Sequence, residues 1–172
     1  LVQGVMELYE SKAGLLEIDL VAEVEPDLEP VMMDPQAMHA CLTNLVTNAL
    51  DACSWDPDGD DKQHRVVISA CRREAEGERG PSLVLEVVDN GMGIPEQDQP
   101  RILQEHFTSK GMRGTGLGLL LTRKTVTDHQ GRVSFTTEPG EGTTFRIELP
   151  AVGPAEDGGE TAGAADVSQG MP

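Results

Sequence analysis

Asn44 and Asn48 stand four residues apart in Asn44-Leu45-Val46-Thr47-Asn48-Ala49, so a helix there presents both amides on one face. Two carboxamide oxygens held this way can ligate a hard cation such as Mg2+ or orient its water shell. Taken alone, such a pair is more often merely solvated. Asp89-Asn90-Gly91-Met92-Gly93-Ile94-Pro95 ends an apolar run, Leu83, Leu85, Val87 and Val88, with a carboxylate. A carboxylate only accepts hydrogen bonds, which matches an exocyclic amine such as adenine N6, and the glycines let backbone approach a flat base. The same residues alone also fit a plain Asp-Asn-Gly turn. Gly114-Thr115-Gly116-Leu117-Gly118-Leu119 is a glycine-rich turn opening a helix, where free N–H groups and the positive end of the dipole suit phosphate. It lacks the Lys-Ser/Thr ending of a P-loop and does not directly follow a strand as a Rossmann turn does. Gly140-Glu141-Gly142-Thr143-Thr144-Phe145 enters a final strand with a hydroxyl able to reach a base directly or through water.

These residues need elements to hold them. Leu1, Val5, Met6, Leu8 and Tyr9 predict an apolar first helix. Leu16 to Val24 alternates with period two, and Pro30 to Met33 reads as a second short strand. Asp34-Pro35 supplies a capping carboxylate and a first-turn proline. The helix that follows runs to about Cys53, with Met38, Cys41, Leu42, Leu45, Val46, Ala49 and Ala52 as its apolar face. Ser54 to Gln63 is a polar loop in which Trp55 reads as a packing residue. Arg65 to Cys71 and Ser82 to Asp89 form a hairpin. Residues 90 to 114 are long for a plain connection, as functional loops are. A further helix spans about Thr115 to His129, stopped at Gly131, and Arg132 to Thr137 and Thr143 to Leu149 close a last hairpin. From Ala151 the composition offers little to bury and predicts a disordered, acidic, Gly/Ala-rich tail over 151–172. The order gives an α+β fold, a two-layer α/β sandwich whose mixed sheet is covered on one face by about three helices.

The chain has 172 residues, 30 Asp+Glu against 13 Lys+Arg and a formal net charge of -17. That length suits one domain of about 150 residues plus the tail. The charge opposes any general grip on nucleic-acid phosphates or anionic lipid. Cys41, Cys53 and Cys71 match neither a disulfide framework nor metal spacing, and read as buried or half-buried thiols of a cytoplasmic protein. No apolar run has the length of a membrane span, and the abrupt start at Leu1 reads as an excision from a longer chain. Residues 101 to 150 alone are net positive: Arg101, Lys110, Arg113, Arg123, Lys124, Arg132 and Arg146 against Glu105, Asp128, Glu138, Glu141 and Glu148. That segment is where a small polyanion should sit.

The blocks in this order resemble the catalytic, ATP-binding domain of bacterial sensor histidine kinases, in the GHKL or Bergerat-fold superfamily shared with gyrase, heat-shock chaperone and mismatch-repair ATPases. Asn44 to Ala52 is similar to the N box, Asp89 to Ile94 to the first glycine box and Phe107-Thr108-Ser109-Lys110 to the F box. Gly114 to Leu119 is similar to the second glycine box and Gly142-Thr143 to the last. The resemblance covers about residues 1 to 150. It implies that Asn48 coordinates Mg2+, that Asn44 supports the phosphates or metal, and that Asp89 binds adenine N6 with help from Thr143. Gly91 and Gly93 would line the base pocket. Gly114, Gly116, Leu117 and Gly118 would form the phosphate end of a lid over about 95–113, with Lys110 and Arg113 leaning onto the phosphates. Asn44, Asn48 and Lys110 are then the catalytic candidates. Because -17 repels ATP, local cations and Mg2+ must hold it, and screening over about 8 Å makes the nearest charges count most.

The resemblance implies transfer of the γ-phosphoryl of Mg-ATP to a His on a dimerisation domain, for relay to the receiver domain of a response regulator, in a cytoplasmic segment of a parent that can be membrane-anchored. Hydrolysing members and serine-directed kinases of the superfamily carry Glu where this chain has Asn44, which favours a His acceptor over water. The alternatives are a superfamily ATPase or a non-catalytic nucleotide-sensing module. Ala40 stands where many histidine kinases have a polar residue, with His39 beside it as a possible substitute. None of His39, His64, His106 and His129 has a phosphoacceptor context, and His106 reads as a lid residue. Asp56 to Asp61 reads as a solvated acidic turn, lacking the terminal Glu of a calcium loop.

Overall fold

The structure, a computed structural model, describes residues 1–57, 62–75, 80–104 and 117–151. Lys110, Arg113, Gly114, Gly116, the Phe107–Lys110 block, His106 and the segment 152–172 lie outside the described residues.

Three helices, α1 (Val2–Leu15), α2 (Pro35–Ser54) and α3 (Gly118–Asp128), pack on one face of a five-stranded sheet. The strands are β1 (Asp19–Val24), β2 (Arg65–Arg73), β3 (Ser82–Asp89), β4 (Arg132–Glu138) and β5 (Gly142–Pro150). Their order is β1-β2-β3-β5-β4. β1 runs parallel to β2 and the other pairs are antiparallel, so the sheet is mixed. The expected α+β sandwich is the observed one.

α2 begins where its cap chemistry places it. Asp34 accepts hydrogen bonds from the N–H groups of Gln36 and Ala37 at 2.9 and 3.0 Å, satisfying two donors that the first turn leaves open. Met38, Cys41, Leu42, Leu45, Val46, Ala49, Leu50 and Cys53 then form its buried face. Each large aliphatic residue there contributes about 1.5–3 kcal/mol by leaving water.

Opposite them stand alternate residues of the central strands: Val66, Ile68 and Ala70 of β2, Leu83, Leu85 and Val87 of β3, and Phe145, Ile147 and Leu149 of β5. Strand alternation carries the next residue of the same parity onto the same face. For β3 that residue is Asp89 and for β5 it is Thr143, and the register pairs the two. The sandwich's own periodicity therefore brings a carboxyl and a hydroxyl under the helices at one end of the sheet.

Two expectations need correction. Pro30 to Met33 is not a strand. Val31 and Met33 pack on the core while Met32 is 78% exposed, so the alternation is real, but the segment is an extended connection without a ladder partner. In α1 the buried residues are Val2, Val5 and Ala13, whereas Leu8 is 57% exposed. Trp55 keeps 43% of its surface in solvent, so more than half of it is covered. The cysteines are free, Cys41 and Cys53 buried and Cys71 half-buried, as expected.

Candidate functional site

Asp89 is buried at the end of β3. Burial disfavours its charged form and pushes its pKa up to about 6, against the opposing pull of N–H groups of Gly91 and Thr143 and the positive charge of Lys62. The Gly91 N–H donates to Asp89 Oδ1 at 3.0 Å. Thr143, also buried, lies in register beside it with its hydroxyl 3.0 Å from that of Thr137.

The loop after Asp89 sits directly on the last turn of α2. Met92 N–H donates to the Ala52 carbonyl at 3.2 Å, and a methyl at Gly91 would lie 2.5 Å from the Ala52 carbonyl carbon. Gly93 has φ 68 and a methyl there would fall 2.2 Å from the Glu138 oxygen, so both conformation and space call for glycine. Ala52, Asn48, Asn44 and Ala40 follow one another at four-residue intervals along one stripe of α2. At 1.5 Å per residue, Asn44 lies about 12 Å along the helix from the Asp89 end, with Asn48 midway. Both Asn are half-buried.

At the Asn44 end α3 begins. Asn44 Nδ2 donates to Thr122 Oγ1 at 3.1 Å, and a methyl at Gly118 would lie 2.0 Å from Asn44 Oδ1. Leu117 caps the helix, its carbonyl accepting from Leu121 N–H, so the first N–H groups of α3 open at this end with the positive pole of its dipole. The described part of the site is thus a track along α2, with a buried acceptor at one end and a helix N-terminus at the other. Asn44, Asn48, Asp89, Gly91, Gly93, Leu117, Gly118 and Thr143 all fall on or beside it. Lys110, Gly114 and Gly116 lie outside the described residues.

Among the described residues the bases of the net-positive segment do not gather on one surface. Arg132 pairs with Glu148 and Arg146 with Glu86 on the open face of the sheet, opposite the helices. Arg123 donates to the Leu103 carbonyl at 2.8 Å, and Lys124 pairs with Asp128. A lysine not singled out by the sequence reading, Lys62, stands near Asp89 instead. It donates to the Gly140 carbonyl at 2.9 Å and lies 3.4 Å from Asp56. Asp56 is therefore buried and paired, contrary to the solvated turn expected of it. His39 bonds Thr43 at 3.4 Å beside Gly4 of α1, while Ala40 is exposed.

Comparison with known proteins decides the lineage. The family of histidine kinase-, DNA gyrase B- and HSP90-like ATPases matches residues 33–153. The chain belongs to this ATPase family. Nitrogen regulation protein NtrY of Azorhizobium caulinodans is 33% identical over 144 residues, 83% of this chain and 18% of that protein. Sporulation kinase E of Bacillus subtilis is 27% identical over 157 residues, 91% of this chain and 20% of that protein. The chain thus spans about a fifth of the length of these relatives. The catalytic domain of the histidine kinase ThkA superposes with a TM-score of 0.69 at 28% identity, covering 87% of this chain and 90% of that one. Within the ATPase family the domain is of the histidine-kinase type, an ATP-binding module. No helix among the described residues is long and apolar enough to cross a membrane.

Proposed function

We propose that this domain binds Mg-ATP with adenine at Asp89 and Thr143 and the triphosphate directed along α2 toward Asn48, Asn44 and the N-terminus of α3. One observation carries the reading: a buried acceptor pair and a helix N-terminus stand at opposite ends of one helical stripe, with the two amides between them. The Asp89 carboxylate accepts from the exocyclic amine. Gly118, with Leu117, would open backbone N–H groups to phosphate at the start of α3; by the family resemblance Gly114 and Gly116 would add further donors and Lys110 charge. The donor chemistry at Asn48 fits Mg2+, which is commonly held by one or two protein oxygens together with substrate phosphates. Bound there, Mg2+ would neutralise charge on the phosphates.

In the parent protein the γ-phosphoryl would pass to a His of a dimerisation domain and on to a response regulator receiver domain, in the cytoplasm. Positioning and charge stabilisation are most of what such a transfer requires. Asn44, an amide already donating to Thr122, cannot take a proton from water, which favours the His acceptor over hydrolysis. The test is incubation of the protein with γ-labelled ATP and a separate His-bearing dimerisation domain. Acid-labile label on that His is expected. Steady phosphate release with no labelled His would instead support an ATPase, and nucleotide binding with neither would support a sensing module.

A further inference from the structure

Thr137 of β4 lies outside every block that the sequence singles out, yet its hydroxyl is the junction of three segments of the site. It accepts from the Ile94 N–H at 2.9 Å, lies 2.9 Å from the Gly142 carbonyl and 3.0 Å from Thr143 Oγ1. A hydroxyl has one proton and two lone pairs. A carbonyl oxygen can only accept, so the proton of Thr137 goes to Gly142. The amide N–H of Ile94 fills one lone pair. Only the second lone pair remains for Thr143, and Thr143 must therefore be the donor of that bond.

This fixes what Thr143 can offer to a ligand. Its single proton is committed to Thr137, so toward the site it presents lone pairs only. Asp89, in register beside it, is likewise an acceptor when ionised. An end of the site with two acceptors suits a base edge, or a bridging water, that brings donors. It disfavours an edge that brings an oxo group, because facing lone pairs repel and leave a buried polar atom unpaired.

We propose that Thr137 is a specificity-determining positioning residue that sets the polarity of the Thr143 hydroxyl and thereby makes the site select a 6-amino over a 6-oxo purine. The inference rests on the adenine placement proposed above. Thr137 acts through Thr143 and need not touch the nucleotide. Removing its hydroxyl frees the Thr143 proton to turn toward the ligand, where it can meet an oxo group.

The test is calorimetric titration of the chain with ATP and with inosine triphosphate, which carries an oxo group at C6 and a proton on N1 in place of the amine. Wild type, Thr137→Val, Thr137→Ala and Thr137→Ser are compared, with melting curves to establish which variants fold. The ratio of ATP to inosine triphosphate affinity is expected to fall about ten-fold in Val and Ala and to return in Ser. A purely structural role would weaken both nucleotides alike. An unchanged ratio in the folded variants, with ATP still bound by wild type, would overturn the role of Thr137 and leave the ATP site standing. Wild-type protein that binds neither nucleotide would overturn both.

Discussion

Asp89 carries two consequences that pull in opposite directions. Its folded pKa, about 6, lies above the ordinary 3.8, so the folded chain holds that proton more tightly than the unfolded one. Linkage then gives a contribution to stability fully present below about pH 4 and lost as pH rises through about 6, worth at most about 3 kcal/mol. Asp89→Asn should remove it: the stability difference between variant and wild type in urea unfolding grows from pH 4 to 7 in favour of the variant. A difference independent of pH would contradict the burial argument. ATP affinity should show the reverse slope, weakening as pH falls through about 6, because a protonated carboxyl turns a donor toward the amine. Gly118 is the second residue with a sharp expectation. Gly118→Ala places a methyl on the Asn44 amide and should cost about 1–3 kcal/mol or displace Asn44 from Thr122. Adding Asn44→Ala should recover much of the loss in the same unfolding assay.

At the scale of elements, α2 aligns the site, and its start is set by Asp34. Asp34→Ala removes the two cap hydrogen bonds and should lower stability by about 1 kcal/mol in denaturant unfolding, with ATP affinity little changed. The same residue's N–H donates to His129 Nε2 at 3.0 Å while His129 Nδ1 faces the Thr125 carbonyl at 2.7 Å, so the head of α2 is tied to the foot of α3 by a neutral imidazole protonated at Nδ1. Nothing in the spacing of residues 34 and 129 announces that contact. What the sequence did announce were features governed by local rules: the Asp-Pro helix start, the 3.6-residue stripe of α2, and the alternation of β2, β3 and β5 that carries Asp89 and Thr143 to the helix side. It misled where alternation came without a partner, at Val31 and Met33. It was silent on Lys62 and Thr137, whose roles arise only when the turn at Gly140 and the strand pair β4–β5 are folded against the loop after Asp89.

Over the whole molecule, charge sets both solubility and limits. With -17 on 172 residues, self-repulsion opposes the compact state, so the melting temperature should rise as salt goes from about 0.05 to 0.5 M and the Debye length shrinks. A melting temperature insensitive to salt would show that the ion pairs of the open sheet face, Arg73 and Arg132 with Glu148 and Arg146 with Glu86, already balance the field. Strand alternation sends Arg132 and Arg146 to the sheet face opposite the helices, so these two charges of the 101–150 segment do not stand beside the α2 track. The nucleotide placement proposed above is along the α2 track, with Asp89 as its buried end. Calorimetric titration of ATP, in the presence of Mg2+ at pH 7.5, into wild type and Asp89→Asn tests that placement most directly. Wild type should bind with at least ten-fold higher affinity than a variant that remains folded; equal affinities would contradict it.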